Sequence, residues 1–292
     1  MKILVTGAGG QVGSELLKVL EKGETELGSI PSELKKAEVF GFSSRELDIR
    51  NINQVIDKVA SINPDVVINA AAFTNVDGAE DNFDQAFEVN ALGPRNLAMA
   101  CERISAKLVH ISTDYVFSGE GSRPFKEYDT ALPKSEYGKS KKLGDDFVKE
   151  ICTKYFIIRP AWVYGYNGKN FVYTILNLAK NNDEIKVVKD QRGNPTNVQD
   201  IIHHILKLVV TEEYGIYNCA GHGECSWYDF ACKIVEFSKI NCKVIPCTSE
   251  EYKSKVKRPT YSALDNCNLR ITVGDEMRHY VTALKVFINN II

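Results

Sequence analysis

Short apolar runs alternate with helix-period segments along the first half of the chain, and this alternation restricts the fold more than any other feature. The runs lie at Ile3–Thr6, Ala37–Phe42, Asp65–Asn69, Lys107–Ser112 and Tyr155–Arg159. Runs of this kind are typical of parallel strands that are covered on both faces. Apolar residues at helical spacing fill the segments between them, at Val12–Leu20, Ile52–Ser61, Asp84–Arg103 and Tyr137–Ile151. The pattern predicts an α/β protein with a doubly wound parallel sheet of the Rossmann type.

The glycine-rich turn Gly7–Gly13 lies directly between the first predicted strand and the first predicted helix. Gly7, Gly10 and Gly13 stand at every third position, and the absence of Cβ lets the backbone approach a pyrophosphate closely. The helix that follows offers unpaired N–H groups to the same anion. The turn therefore predicts a dinucleotide site, with a purely structural turn as the alternative.

The residues after the second predicted strand bear on which dinucleotide is bound. An acidic side chain there would bind the ribose hydroxyls of NAD, and a cation would favour the 2′-phosphate of NADP. This chain has Ser43, Ser44 and Arg45 at that place. Two hydroxyls and a guanidinium suit a phosphate monoester, so the sequence predicts NADPH, with NADH as the alternative cofactor and a solvated Arg45 as the structural alternative.

Glycine and proline break the chain more often after Pro160, which predicts a smaller C-terminal lobe for a substrate. We expect residues 1–161 and about 196–219 to form the cofactor-binding domain, and residues about 162–195 and 220–292 to form the substrate-binding lobe. The polar stretch Gly23–Lys36 predicts a surface loop with room for a short helix.

Composition excludes several classes of protein. The 292 residues include 36 Lys and Arg against 38 Asp and Glu, a net charge of −2, so no basic field for nucleic acid exists. The apolar run from residue 66 to 73 is far shorter than the roughly 20 residues of a membrane span. Eight cysteines without a C-x-x-C pair predict reduced thiols and no structural metal. The first residues lack a leader pattern, so we expect a cytoplasmic protein.

Tyr137 and Lys141 lie four residues apart in a predicted helix and therefore share one helix face. A nearby ammonium favours a phenolate, which lets tyrosine exchange a proton with a carbonyl oxygen near neutral pH. Thr113 follows a predicted strand at the sheet edge where ligands bind in open α/β folds. A hydroxyl there can donate to the same carbonyl oxygen.

This combination resembles the short-chain dehydrogenase/reductases, and longer strings resemble one of their families, the dTDP-4-dehydrorhamnose reductases. The strings are Gly10–Gly13, Glu46–Ile49, Asn69–Glu80, Val89–Ala91, Ser112–Phe117, Arg159–Gly165, Asp190–Thr196, Gly223–Tyr228 and Arg258–Asp265. The resemblance implies reduction of the C4 ketone of dTDP-4-dehydro-L-rhamnose by NADPH or NADH, a step in nucleotide-sugar and cell-surface polysaccharide biosynthesis.

The resemblance also implies roles for individual residues. It implies that the cofactor pyrophosphate is bound by Gly10, Gln11 and Val12. The adenine would be contacted by Asp48 and Ile49. The chain would pass beside the cofactor at Ala72, Phe73 and Thr74. Two of these regions depart from the family pattern. Phe73 stands where a polar or smaller aromatic residue is frequent, and Ser43 stands where many members have an acid.

For the chemistry, the resemblance implies that Thr113 polarises the ketone and Tyr137 donates the proton. Lys141 would bind the nicotinamide ribose and lower the pKa of Tyr137. Thr113, Asp114 and Trp162 would contact the substrate, with the Trp162 ring as a flat apolar wall against the deoxysugar. A core position is the structural alternative for Trp162.

Three questions stay open at this point. Some family members bind Mg²⁺ through glutamates at a dimer contact, and Glu15 lies in the matching helix, but no other ligand matches; the chain is expected to be a monomer or a homodimer. A reductase or epimerase of another nucleotide 4-ketosugar is an alternative function. A regulatory subunit like that of methionine adenosyltransferase is another, although the retained Thr113, Tyr137 and Lys141 favour an enzyme.

Overall fold

The apolar runs of the first half pair side by side as parallel strands. This computed structural model describes residues 1–252 and 256–292. The strands in the described residues are β1 (Lys2–Thr6), β2 (Glu24–Thr25), β3 (Gly28–Ser29), β4 (Glu38–Phe42), β5 (Val66–Asn69), β6 (Lys107–Ile111), β7 (Tyr155–Arg159), β8 (Val163–Tyr164), β9 (Glu184–Val188), β10 (Arg192–Gly193), β11 (Thr196–Asn197), β12 (Gly215–Asn218), β13 (Cys225–Ser226) and β14 (Lys243–Cys247).

Helices separate the strands along the chain. The α-helices are α1 (Gln11–Lys22), α2 (Ile52–Ile62), α3 (Val76–Asp81), α4 (Phe83–Phe87), α5 (Gly93–Ile104), α6 (Glu136–Ile151), α7 (Phe171–Asn181), α8 (Val198–Val209), α9 (Trp227–Ser238), α10 (Ser249–Tyr252), α11 (Cys267–Thr272) and α12 (Tyr280–Ile291). Short 3₁₀ turns occur at Ser32–Leu34 and Asp114–Val116, and a π-helical turn spans Glu88–Leu92. Among the described residues, no helix is both long and apolar enough to cross a membrane.

Six of these strands form one parallel sheet in the order β12–β7–β6–β5–β1–β4. The α/β class and the doubly wound parallel sheet predicted from the sequence are confirmed. The chain runs from β1 to β4 on one side and then returns to β5 on the other. The carboxyl ends of β1 and β5 therefore flank the point where the strand order reverses, which is the ligand-binding position in such sheets.

Alternation along the buried strands supplies both faces of the sheet with apolar side chains. Ile3 and Val5 of β1 pack into one core with α1 and α8, and Leu4 packs into a second core with α2 and α5. All three side chains are fully buried. Burial of each such side chain contributes roughly 1.5–3 kcal/mol, so the near-continuous apolar runs follow from a sheet that is covered twice.

A separate apolar core lies in the second half of the chain. It is built from side chains between Tyr164 and Ile288, with Phe230, Leu284 and Phe287 among its buried members. The parallel pair β9 and β14 lies beside it. Strand β12 returns from this half to the edge of the main sheet. The boundaries of the predicted domain and lobe stay a prediction.

The helix predicted over Asp84–Arg103 is interrupted in the structure. It consists of α4, the π-helical turn Glu88–Leu92 and α5. Pro94 has no N–H to donate to the carbonyl of Asn90 four residues earlier, so a regular α-helical bond is lost at this point. The helix accommodates the loss by widening, as π-helical turns do.

The stretch Gly23–Lys36 is more ordered than the surface loop that the sequence predicts. Strands β2 and β3 form a short antiparallel hairpin in it, and a 3₁₀ turn follows. Ile30 and Leu34 are buried in the core that α1 and α8 share. Two apolar anchors in a polar segment therefore fix it to the domain.

The turn between β1 and α1 generates a prediction about stability. Gly7 has a φ of +69°, and a Cβ there would lie 2.5 Å from the backbone nitrogen of Ala71. A Cβ at Gly9 would meet no heavy atom within 4 Å. We expect Gly7→Ala to lower the free energy of unfolding by about 1–3 kcal/mol through strain and overlap. Urea unfolding without cofactor measures this, and Gly9→Ala is the matched control, expected to stay within about 0.5 kcal/mol. Equal effects of the two substitutions would contradict the close-approach argument.

Candidate functional site

The carboxyl ends of β1, β4 and β5 open into a cavity of about 580 Å³. The predicted cofactor residues that line it are Gly7, Gly10, Ser43, Asp48, Ile49, Ala72 and Phe73. The adjacent Ser44, Arg50 and Gln85 also line it. Backbone of the glycine turn forms one wall, because Gly7 lies against Ala70 and Ala71. The cavity is therefore lined by backbone and small side chains, the kind of surface that a dinucleotide requires.

Six predicted cofactor residues do not line this cavity, judged over the described residues: Gln11, Val12, Arg45, Thr74, Tyr137 and Lys141. The Gln11 side chain donates to the Val163 carbonyl at 3.4 Å, and Val12 packs against the core. Arg45 and Thr74 are exposed. Their contact with a cofactor stays a prediction.

Existing hydrogen bonds occupy the polar groups near the predicted ribose site. Ser43 donates to Glu46 from both its hydroxyl, at 2.7 Å, and its backbone N–H. These two bonds lower the pKa of Glu46. Asp48 is paired with Arg50 at 2.8 Å, which lowers the pKa of its carboxyl. The Glu46 carboxylate therefore lies beside Ser43. The prediction from Ser43, Ser44 and Arg45 does not take this acidic group into account.

Thr113, Tyr137 and Lys141 come together at the carboxyl end of β6. The Ser135 hydroxyl caps α6 by accepting from the Gly138 N–H at 3.1 Å, so the helix begins just before Tyr137. The Tyr137 side chain lies close enough to the Thr113 hydroxyl for that hydroxyl to act on its pKa. Lys141 is 1% exposed, and its ammonium donates to the Ile111 carbonyl at 2.6 Å. Tyr137 and Lys141 thus share one face of α6, as their spacing predicts. Thr113 follows β6 at the same edge of the sheet.

Burial controls the protonation of these groups. Burial raises the pKa of Tyr137, which contact with the Thr113 hydroxyl opposes and the charge of Asp114 reinforces. Burial also lowers the pKa of Lys141 to about 8, against the opposing charge of Asp145. The expected lowering of the Tyr137 pKa by Lys141 is not seen in this arrangement. The reason is that burial of the phenol dominates and the ammonium is bonded to Ile111.

Asp114 and its neighbours complete the polar end of the site. The Thr113 hydroxyl donates to Asp114 Oδ1 at 3.0 Å. Burial raises the pKa of Asp114 to about 6, and hydroxyls of Ser262 and Thr113 oppose the shift. Tyr115 packs edge-on against Tyr137 with ring centroids 5.6 Å apart. The Thr113 and Asp114 side chains are therefore hydrogen-bonded to each other, and Tyr137 lies beside them.

Trp162 is held in a strained backbone conformation beside this cluster. Its φ is +46°, which is a rare value for a bulky residue. Its ring stacks on Trp227 with centroids 3.5 Å apart, and its Nε1 donates to the Ser262 hydroxyl at 3.2 Å. One ring face is therefore covered by protein. The role of Trp162 as a wall for the substrate stays a prediction.

Two features of the site are not evident from residue types in the sequence. Asn90 is fully buried in the π-helical turn, and its amide pairs with both the N–H and the carbonyl of Phe73. Its Nδ2 also reaches the Ser140 hydroxyl at 3.1 Å, which joins the Phe73 loop to α6. Pro94, four residues later, is the one sequence signal that a helix break lies here.

Arg258 is the second such feature. It pairs with Asp77 at 3.1 Å and forms a hydrogen bond with Tyr115. With Tyr115 and Lys134 it lines a further cavity of about 630 Å³. A cation on this wall places positive charge next to the Thr113–Tyr137 cluster.

Glu15 does not form a metal site with its neighbours. Its buried carboxylate accepts from the backbone N–H groups of Tyr166 and Asn167 and from the Gln199 amide. No group of three or more His, Cys, Asp or Glu side chains suited to a metal ion occurs within residues 1–252 and 256–292.

The doubly wound sheet, the glycine turn and the Tyr137–Lys141 pair define a short-chain dehydrogenase/reductase. The chain belongs to the RmlD substrate binding domain family, whose model matches residues 1–292. It is 40% identical to the spore coat polysaccharide biosynthesis protein SpsK of Bacillus subtilis, over 98% of this chain and 96% of that protein.

Two solved structures of dTDP-4-dehydrorhamnose reductases are closely similar. That of Clostridium acetobutylicum is 44% identical, with a TM-score of 0.94 over 99% of each chain. That of Bacillus anthracis, in complex with NADP, is 39% identical, with a TM-score of 0.93 over 99% of each chain.

The raised pKa of Asp114 generates a prediction about stability and pH. Its carboxyl has an ordinary pKa of 3.8 and one of about 6 in the folded chain, so folding favours the protonated form. This contribution is fully present below pH 3.8 and is lost as the pH rises through 6. Asp114→Asn should therefore be more stable than the unmutated chain by roughly 3 kcal/mol at pH 7, and the advantage should shrink towards pH 4. Urea unfolding at several pH values measures it, and a difference independent of pH would refute the assignment.

Proposed function

We propose that this chain reduces the C4 ketone of dTDP-4-dehydro-L-rhamnose to the alcohol of dTDP-L-rhamnose, with NADPH as the reductant. The observation that carries the proposal is the contact of Tyr137 with Thr113 at the end of β6, next to the cavity of the glycine turn. Relatives of 34–38% identity named dTDP-4-dehydrorhamnose reductase support the choice of substrate.

The cavity at the glycine turn fits the cofactor. A Cβ at Gly7 or Gly13 would overlap backbone, so this wall consists of main chain that can approach a pyrophosphate. The pyrophosphate would lie at the N-terminus of α1, held by Gly7, Gly10, Gln11 and Val12. NADPH, when bound, supplies a hydride to C4 of the sugar.

Tyr137 supplies the proton that balances the reaction. Its raised pKa keeps the hydroxyl protonated at neutral pH, so it donates to the ketone oxygen as that oxygen gains negative charge. The Thr113 hydroxyl donates its single proton to Asp114 Oδ1 in the structure. When the substrate binds, that proton would turn to the same ketone oxygen and so polarise the carbonyl. Lys141 provides a positive charge near the developing phenolate and binds the ribose of the cofactor. The hydride and the proton together convert the ketone to an alcohol.

The cofactor preference rests on Ser43, Ser44 and Arg45. Exposed Arg45 is free to approach a 2′-phosphate, whereas Arg50 is paired with Asp48 and Glu88. The NADP held by the Bacillus anthracis structure supports NADPH over NADH. Both NADPH and a nucleotide-linked sugar are cytoplasmic metabolites, so we place the protein in the cytoplasm.

The substrate would extend from Tyr137 along the wall of the larger cavity. Lys134 and Arg258 line that wall and suit a diphosphate. Arg258 also borders an apolar cavity of about 570 Å³ with Phe171 and Trp227, whose rings suit a nucleobase. Trp162 and Asp114 would then contact the deoxysugar. Oxidation of NADPH with a panel of nucleotide 4-ketosugars tests the substrate, and turnover of a different ketosugar alone would replace it.

The proton-donor role predicts the effect of Tyr137→Phe. We expect turnover of the ketosugar to fall by about 10²- to 10⁴-fold, because the general acid is lost. Cofactor affinity should change little, as measured by fluorescence titration with NADPH. Tyr128→Phe is the matched control, because Tyr128 is 71% exposed. Turnover near that of the unmutated protein would refute the role. Absence of any ketosugar reduction by the unmutated chain, together with tight binding to another protein, would favour a regulatory subunit.

The cofactor preference predicts the effect of Arg45→Ala. We expect kcat/KM to be higher with NADPH than with NADH in the unmutated chain. Arg45→Ala should reduce that preference by about 1–3 kcal/mol, the value of a hydrogen bond to a charged group. Arg103→Ala, an exposed arginine near the end of α5, is the control. Equal use of both cofactors before mutation would show that Arg45 is only a solvated side chain.

A further inference from the structure

Asp145 is a buried carboxylate directly behind the proposed catalytic pair. It is four residues after Lys141 and eight after Tyr137, so all three lie on one face of α6. Asp145, Lys141 and Arg159 are each no more than 3% exposed. Ionisable groups are rarely buried this completely unless they are paired. The proposed mechanism gives Asp145 no part in the reaction.

Arg159 and His110 hold this carboxylate from two strands of the sheet. Asp145 Oδ2 accepts from Arg159 Nε at 3.2 Å and Nη2 at 3.1 Å. Oδ1 lies 3.6 Å from His110 Nε2 and has no hydrogen-bond partner within the described residues. The Arg159 guanidinium also lies over the Phe117 ring, 5.3 Å from its centroid. These contacts fix the carboxylate but leave one oxygen free to respond to charge nearby.

His110 is neutral and its tautomer follows from its neighbours. Asn69 Oδ1 accepts from the Thr6 hydroxyl at 2.7 Å and from the Ala71 N–H, so Asn69 Nδ2 is the group that faces His110 Nδ1 at 3.1 Å. His110 Nδ1 therefore accepts, and the ring proton is on Nε2, directed towards Asp145. Burial and the charge of Lys141 both lower the pKa of His110. The histidine thus adds a hydrogen-bond donor but no positive charge.

We propose that Asp145 is a positioning residue for the reduction, whose buried negative charge, held by Arg159 and His110, keeps the Lys141 side chain in its ammonium form. This inference rests on the proposed function, because it concerns the lysine of that reaction. The charged or titratable groups around the pair are Tyr137 on α6, His110 on β6, Arg159 on β7, and Asp114 and Tyr115 after β6. This group contains one further carboxylate, that of Asp114. The charge of Asp145, and not that of Asp114, raises the pKa of Lys141.

The Lys141 ammonium requires a nearby negative charge, because its other contact does little to offset the free energy of burying a charged group. The Ile111 carbonyl accepts one of its protons but carries no net charge. Burial alone disfavours the charged form. A fixed carboxylate on the same helix face is the group that offsets this effect.

The test compares pH profiles of kcat/KM for three variants of the full chain. Asp145→Asn should move the alkaline limb to lower pH by about 1–2 units, because Lys141 loses its proton more easily without the carboxylate. Asp145→Glu, which keeps the carboxylate, should leave the limb close to that of the unmutated chain. Asp146→Asn is the matched control, since Asp146 forms an ion pair with Lys142 at 2.6 Å near the surface and should leave the limb unchanged. Loss of rate at every pH without a shift of the limb would assign Asp145 a structural role and overturn the proposal.

A direct titration separates this proposal from the proposed function. The Cε resonance of Lys141 in protein labelled with ¹³C-lysine, assigned from the spectrum of Lys141→Arg, reports the ammonium without any ketosugar. It should titrate at lower pH in Asp145→Asn than in the unmutated chain or in Asp145→Glu. If Asp145→Asn does not fold, the double variant Asp145→Asn with Arg159→Gln, which leaves no unpaired buried charge, takes its place and should shift the titration in the same direction. Unchanged titration overturns the role of Asp145 even if the chain reduces the ketosugar, and absent reduction with shifted titration overturns only the function.

Discussion

The bond from the Lys141 ammonium to the Ile111 carbonyl joins α6 to the end of a central strand. Strand β6 ends at this residue, so its carbonyl is free to accept from a side chain instead of a neighbouring strand. A bond of 2.6 Å requires α6 to lie very close to the sheet edge. Small residues on α6 allow this, because a Cβ at Gly138 would lie 2.3 Å from the Tyr115 carbonyl and one at Gly144 would lie 2.2 Å from the Asn90 carbonyl. The location of Tyr137 beside Thr113 follows from the same close packing.

The sequence predicts those parts of the molecule that local periodicity and spacing determine. The strands of the main sheet are visible as apolar runs because both of their faces are buried. Tyr137 and Lys141 are visible as a pair because the distance between them is set by one helix. The contacts that depend on residues far apart in the chain are not visible in this way. Trp162 stacks on Trp227 only once the second half of the chain has folded, and Arg258 reaches Asp77 only after that half has folded against the first.

A different limit applies to groups whose behaviour depends on burial. Spacing suggests that Lys141 lowers the pKa of Tyr137, but spacing does not include the free energy of removing both groups from water. In the structure that desolvation raises the pKa of the phenol and lowers that of the amine. The same effect separates Asp114, buried and readily protonated, from Asp48, which is partly exposed and paired with Arg50. Identical residue types thus differ in how readily they take up a proton because their surroundings differ.

Because of the π-helical turn at Glu88–Leu92, the contacts of Asn90 depend on the number of residues in the helical segment from α4 to α5. A π-helical turn holds one more residue than the α-helical turn it replaces, and each residue of an α-helix turns the chain by about 100°. Deleting one residue here would give a more regular helix but rotate the segment before it by about that angle relative to α5. Asn90 could then no longer pair with Phe73 and Ser140 together. The irregular helix therefore sets the register that keeps the Phe73 loop joined to α6. Insertions or deletions between Phe83 and Pro94 would be poorly tolerated although the segment is helical throughout.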